Sequence, residues 1–200
     1  VGNLEAIMTS LLSAVKLNNL RQLTAEALRL SSGSMAEVGV YRGGSAQAML
    51  EVMEKLHAHR GIYLFDTFSG LPAPGPLDAP GRSRAGQWAA SLGEVMAALE
   101  PWEERVRYHV GMFPESAGGL GLERTFFSIV HVDVDLEESV RACCKWFGPR
   151  MCRGGIMVFD DYASPDWRGV KPAVDDHFGD RVQCLPPSPA VEHSQAWVRF

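Results

Sequence analysis

Four cysteines stand in the 200 residues, and no two have the C-x-x-C spacing. Cys143 and Cys144 are adjacent and poorly placed to bridge each other, while Cys152 and Cys184 stand apart. The set reads as reduced, partly buried thiols, not as a zinc site or a disulfide framework. No 18-residue apolar run or signal-peptide pattern occurs, so the expectation is a cytoplasmic protein with no membrane partner. Basic residues are outnumbered: 19 Lys and Arg face 24 Asp and Glu, for a formal net charge of −5. They form no stripe that would track a phosphate backbone, which argues against a generic nucleic-acid or anionic-membrane binder. G-x-G-x-x-G, a Walker A lysine, a serine nucleophile elbow and a Cys/His pair are all missing as well. There is no internal repeat and no linker, so one domain over residues 1–200 is expected, large enough to bury a core.

What is present is a regular alternation. "NLEAIMTSLLSAVKLNNLRQLTAEALRL" (3–30) places apolar residues at helical spacing, predicting an N-terminal helical cap over 1–34. "MAEVGV" (35–40) reads as a strand, and a helix over 45–58 follows, with Ser45 as its N-cap. Strands over 61–66, 106–111, 126–135 and 154–162 alternate with helices over 91–100, 136–147 and 168–178. "VQCLP" and "AWVRF" close the chain as two strands with no room for a helix between them. The fold class is therefore α/β, a mostly parallel sheet with helices on both faces and an antiparallel hairpin at one edge. The Pro- and Gly-rich stretch within 69–90 is a candidate lid loop.

In an open sheet of this kind, ligands bind beyond the carboxyl ends of the strands. At the first such end stands "EVGVYRGGS", where Gly39, Gly43 and Gly44 let the backbone turn tightly beside a ligand. Glu37, inside the strand, would suit a cationic or hydroxyl-bearing ligand better than a pyrophosphate. At the second end Asp66 is placed to accept from two ribose hydroxyls. The fourth carries Asp133 and Asp135, and the fifth Asp160 and Asp161. Asp133 and Asp135 sit two apart, so a strand continuing that far would point both to one face. Four carboxylates on one rim repel one another, and a hard divalent cation such as Mg²⁺ relieves that. His131, within an apolar strand, reads as a satisfied core histidine, and Trp88 and Trp167 as packing residues.

Together "MAEVGVYRGGSAQAM", "YLFDTFSGLP", "GMFPES", "VHVDVDLEES" and "GGIMVFDDY" with "GVKPAVDDHF" resemble the macrocin O-methyltransferase family over nearly the whole chain. The resemblance implies a Rossmann-like class I methyltransferase sheet of seven strands with an antiparallel C-terminal strand. It implies S-adenosyl-L-methionine and Mg²⁺ as cofactors and a small hydroxylated acceptor, a sugar or other natural product. By motif, Glu37, Val38, Gly39, Val40 and Tyr41 would cradle the methionine part, and Asp66 the ribose, with Thr67, Phe68 and Ser69 beside it. Met8, Thr9 and Ser10 resemble a segment that closes over the cofactor, and Ser91 a contact near the adenine. Asp133, Asp160 and Asp161 resemble the metal ligands, with Asp133 also bordering the cofactor, and Asp135 the general base. Family members often carry an aromatic residue after D-x-D-L, where this chain has Glu137. That departure bears on the acceptor.

Two other readings stay open on the residues alone. "DVD" is also a pattern by which nucleotide-sugar glycosyltransferases hold a metal and a diphosphate, though that leaves the Gly-rich turn and Asp66 with less to do. A cofactor-binding subunit without activity is the other, and retention of all four aspartates argues against it. Homo-oligomer formation through the N-terminal helix is left open.

Overall fold

A computed structural model describes residues 10–75, 78, 84–119, 121–185 and 194–200. Met8 and Thr9 lie outside the described residues. Helix α1 (Ala14–Leu30) begins where the Ser13 side chain accepts from the Lys16 amide, and it contains neither Gly nor Pro. Its inward stripe buries Leu20, Leu23, Ala27 and Leu28 against the sheet and the next helix. Each such side chain contributes roughly 1.5–3 kcal/mol by leaving water.

The elements then follow as β1 (Ser34–Val38), α2 (Gly44–Lys55), β2 (Ile62–Asp66), α3 (Leu92–Ala98) and β3 (Val106–Val110). The second half runs β4 (Phe127–Val132), α4 (Glu137–Phe147), β5 (Met151–Tyr162), α5 (Val170–Phe178), β6 (Gln183–Cys184) and β7 (Ser194–Arg199). The seven strands lie in the order β3-β2-β1-β4-β5-β7-β6. β7 runs antiparallel to both its neighbours, and every other pairing is parallel. α2 is capped by Gly43 at φ +85°, not by Ser45, which is buried one residue inside the helix.

Strand alternation divides the core in two. Met35, Ile62, Ile129, Ile156 and Val158 face α1, α2 and α3. Ala36, Val38, Val130, Val132 and Phe159 face α4 and α5. The N-terminal helix is therefore one of the layers covering the sheet, and among its described residues Leu11, Leu12, Ser13 and Lys16, at and just before its first turn, reach the ligand-binding edge. From β1 the chain winds one way to β2 and β3, and β4 opens the other half. The crevice at this switch lies between the turns that follow β1 and β4, where ligands of open sheets bind.

Candidate active site

The two turns at the switch touch. Gly39 has φ +85°, and a Cβ built on it would sit 1.8 Å from the Asp133 carbonyl oxygen, so only glycine fits. Beside them opens a cavity of about 740 Å³ lined by Val38, Gly39, Tyr41, Asp66, Thr67 and the four aspartates, among others. One cavity thus holds both the turn-and-Asp66 end and the acidic end.

At the first end Asp66 is held by backbone. Val40 and Tyr41 N–H donate to its Oδ2 at 2.7 and 3.1 Å, and Phe68 N–H donates to Oδ1 at 2.8 Å. Thr67 lines the cavity, and its hydroxyl accepts from the Ser69 amide while donating to the Gly70 carbonyl. Val40 and Phe68 pack into the core under α1 and α2. Ser91 is the N-cap of α3, exposed and closed into a capping box with Glu94. Of the described residues expected to contact the cofactor, Ser10, Glu37, Val40, Phe68, Ser69 and Ser91 are not on the cavity wall.

Glu37 departs furthest from its expected place. Alternation turns it to the same side as Met35, where it is wholly buried with Oε1 2.8 Å from His131 Nδ1. The pair lies beneath α1, off the cavity wall; it partners His131 Nδ1 inside the core, while His131 Nε2 and Glu37 Oε2 are buried with no hydrogen-bond partner among the described residues. Trp88 differs in the opposite direction: it is half exposed on the cavity wall, its ring edge-on to Tyr41 at 6.3 Å. Trp167 is buried in the core and also reaches the cavity.

The acidic end is assembled by two backbone irregularities. β4 stops at Val132, although the Asp133 amide still donates to the Val38 carbonyl at 2.9 Å. Asp135 then takes φ +60° in a tight turn, with Leu136 N–H donating back to the Val134 carbonyl. Asp133 and Asp135 therefore converge through a turn and not through same-face strand spacing. On β5, consecutive residues would point to opposite faces. The pairing with β7 shifts register between Phe159 and Tyr162, and Asp161 has φ +53°. The bulge brings Asp161 round to the side of Asp160.

Carboxylate oxygens of Asp133, Asp135 and Asp161 lie within 4.8 Å of one another, a grouping able to hold a metal ion. Asp160 is engaged differently. Its Oδ2 accepts from Lys16 Nζ at 2.8 Å, and its Oδ1 accepts from Gln195 Nε2 at 3.3 Å. Lys16 also reaches Asp161 Oδ1 at 3.2 Å. Burial, then the neighbouring carboxylates, pushes the Asp133 and Asp135 carboxyls well above the usual range, and Lys16 only partly offsets this. Asp160 is raised by burial and by Asp161, against the pull of Lys16. Burial works against the Lys16 charge, but Asp160 and Asp161 outweigh it and leave its pKa raised. Lys16 escaped the sequence reading because a lone lysine in a helix usually lies on the solvent face. Its one signal was its place on the stripe of Leu12, Leu20 and Leu23.

The loop after Asp66 adds a distant contact. The α4 N-cap position, Leu136, offers no side-chain hydrogen bond. Asp78 of that loop supplies one in its stead, its Oδ1 accepting from Glu137 N–H at 3.1 Å and its Oδ2 from Gly75 N–H at 2.8 Å. The Glu137 side chain turns along α4 to Arg141 at 2.8 Å. Cys143 lines the cavity, but burial pushes its thiol far up, and Cys144 up to about 12, so both are inert thiols.

The model of the macrocin O-methyltransferase (TylF) family matches residues 5–197. The chain belongs to this family. Among relatives of this macrocin O-methyltransferase-family chain is the 8-demethyl-8-(2,3-dimethoxy-alpha-L-rhamnosyl)-tetracenomycin-C 4'-O-methyltransferase of Streptomyces olivaceus. It is 32% identical, over 66% of this chain and 53% of that protein. Demethyldecarbamoylnovobiocin O-methyltransferase of Streptomyces niveus is 27% identical, over 74% of this chain and 60% of that protein. The chain thus spans roughly half to two thirds of the length of the curated relatives it matches. Among solved structures, the O-methyltransferase NovP shares the fold with TM-score 0.75 at 22% identity, covering 92% of this chain and 79% of that one. CalS11, a calicheamicin methyltransferase, gives TM-score 0.74 at 25% identity, covering 93% and 79%. The family match leaves the glycosyltransferase reading of Asp133 and Asp135 without support. Among the described residues no helix is long and apolar enough to cross a membrane.

Proposed function

We propose that the protein is an S-adenosyl-L-methionine-dependent O-methyltransferase that methylates a hydroxyl of a small molecule, a sugar or sugar-bearing natural product. The observation carrying this reading is the single cavity that joins the Gly39–Tyr41 turn and Asp66 to the acidic cluster. Relatives named as O-methyltransferases of a rhamnosyl-bearing tetracenomycin and of demethyldecarbamoylnovobiocin support the acceptor class.

The cavity suits both implied cofactors. Asp66 stands at the end of β2 with its carboxylate already oriented by three amides, placed to meet ribose hydroxyls, while Val38, Gly39 and Tyr41 present backbone and ring to the methionine part. The carboxylates of Asp133, Asp135 and Asp161 converge, and their burial and mutual repulsion make an oxygen-rich site suited to Mg²⁺. Asp133 and Asp161 would hold the ion, joined by Asp160 where Lys16 releases it. When bound, Mg²⁺ supplies positive charge that lowers the pKa of an acceptor hydroxyl, and S-adenosyl-L-methionine supplies a methyl on a good leaving group.

The chain's own residues do the rest. Asp135, beside the ligand carboxylates, would take the proton that the acceptor hydroxyl gives up on receiving the methyl. Holding both substrates in one cavity supplies up to ~7–11 kcal/mol through proximity alone. Trp88, Tyr41 and Leu71 add apolar surface to the cavity wall. Calorimetry with S-adenosyl-L-methionine, followed by a mass-spectrometric screen of rhamnosides and other glycosides for a gain of one methyl group, tests the assignment. Cofactor binding and a chelator-sensitive methylated product are expected; failure to bind S-adenosyl-L-methionine would overturn it.

A further inference from the structure

Lys16 is too deeply buried for an incidental surface charge. It is 6% exposed, on the inward face of α1, where the helix pattern otherwise calls for an apolar side chain. Its ammonium spans Asp160 Oδ2 at 2.8 Å and Asp161 Oδ1 at 3.2 Å. The helix carrying it is fixed nearby: Leu20 and Leu23 lie in the core, and Asn19 Nδ2 donates to Gln195 Oε1 at 2.8 Å. Gln195 in turn donates to Asp160. The ammonium is thus delivered to the acidic cluster by a packed helix, and Leu11, Leu12 and Ser13 just before it form part of the cavity wall.

A divalent cation among Asp133, Asp135 and Asp161 would share the Asp161 carboxylate with Lys16 and stand beside its ammonium, and two cations that close repel each other. Resting on the metal-dependent reading given above, we infer that Lys16 is a built-in competitor for the divalent cation. It holds Asp160 and Asp161 in place in the metal-free protein and weakens metal binding, so that metal occupancy is coupled to the seating of α1. The coupling is reciprocal: whatever presses residues 11–16 onto the cavity also biases metal affinity. Lys16 touches no reacting atom and acts through Asp160 and Asp161 as a positioning residue. A merely structural anchor would instead lose stability on substitution and leave metal affinity unchanged or weaker.

The test compares wild type, Lys16→Met and Lys16→Arg, each stripped with a chelator. Calorimetric titration with MgCl2 and the spectroscopic titration of MnCl2 read affinity directly, without turnover. Lys16→Met should bind either ion ~10-fold tighter, within the range of ordinary coupling energies, and Lys16→Arg, which keeps the charge, should stay within about threefold of wild type. Metal-free Lys16→Met should melt lower than wild type, and saturating MgCl2 should raise its melting temperature more than it raises the wild type's. If metal-free Lys16→Met does not fold, recovery of its far-ultraviolet circular dichroism on adding MgCl2 is the expected result. Equal or weaker affinity in Lys16→Met, or failure to refold in saturating MgCl2, overturns the inference while a metal-binding wild type leaves the functional reading standing. If neither protein binds Mg²⁺ or Mn²⁺ yet both bind S-adenosyl-L-methionine, the metal part of that reading falls and takes the inference with it.

Discussion

The two ends of the cavity solve one problem in different ways. Asp66 and the β4–β5 aspartates are all carboxylates at strand ends, yet Asp66 is met by three backbone N–H groups from its own turn and its neighbour's. Among the described residues, the acidic cluster has four carboxylates bridged by one ammonium, that of Lys16. Backbone donors fix a carboxylate cheaply and leave it ready for hydroxyls, because amides cost nothing to position once the turn has formed. A cluster of like charges cannot be satisfied by amides alone. Its residual repulsion favours a cation or a proton there, in line with the chemistry proposed for this end and the binding proposed for the Asp66 end.

The sharpest way to break that contrast is to disable each end separately. Asp135→Asn removes the proposed proton acceptor and should lower kcat by about 10³-fold, the middle of the range for general base catalysis. S-adenosyl-L-methionine affinity, read by calorimetry, should stay within a few-fold of wild type. Equal losses of cofactor binding and turnover would mean the two ends are not functionally distinct.

Gly39→Ala attacks the point where the two ends meet. Its Cβ would fall 1.8 Å from the Asp133 carbonyl oxygen, at a φ of +85° that alanine resists. Either the β1 turn or the β4 turn must move, so a loss of roughly 3 kcal/mol or more of stability is expected, measured by urea unfolding. A Gly39→Ala protein with unchanged midpoint would show that the contact between the turns is soft.

Asp66→Ala acts on the binding end alone. It removes the acceptor of three amides and should weaken S-adenosyl-L-methionine binding by about 10²-fold, ~2.7 kcal/mol. Methylation at saturating cofactor should recover most of the wild-type rate. A persistent kcat defect would tie Asp66 to the chemistry and blur the division.

The same contrast marks what the sequence could reveal. The fold was legible because strand and helix periods differ and alternate cleanly, and the rule that ligands bind at carboxyl ends singled out Asp66, Asp133, Asp135, Asp160 and Asp161. All five line the cavity. What could not be read is long-range or depends on local backbone irregularity. The bulge that turns Asp161 toward Asp160, the left-handed residue at Asp135, and the arrival of Lys16 from 144 positions away leave no periodic trace. Glu37 was misplaced for the converse reason. A motif match assigns a residue to a site, whereas alternation along β1 puts its side chain under α1 with His131.

Asp78 offers the smallest effect and the finest test of how the acidic end is held. Its carboxylate caps α4 from another loop, because Leu136 has no capping oxygen of its own. Gly169 lies against this junction, where a Cβ would come 2.4 Å from Glu137 Cβ and 3.2 Å from Asp78 Oδ1. Asp78→Ala removes the cap and should cost ~1 kcal/mol, the usual worth of an N-cap, or about 2–4 °C in Tm for a chain of this size. Asp78→Asn keeps an acceptor oxygen for Glu137 N–H and loses the charge at the helix N-terminus, so it should fall between alanine and wild type. Because Glu137 follows Asp135 by two residues, a loosened α4 start should reach the proton acceptor before it reaches Asp66. The expected signature is a modest fall in kcat with unchanged S-adenosyl-L-methionine affinity. Loss of cofactor affinity without loss of kcat would place the influence of Asp78 at the binding end instead.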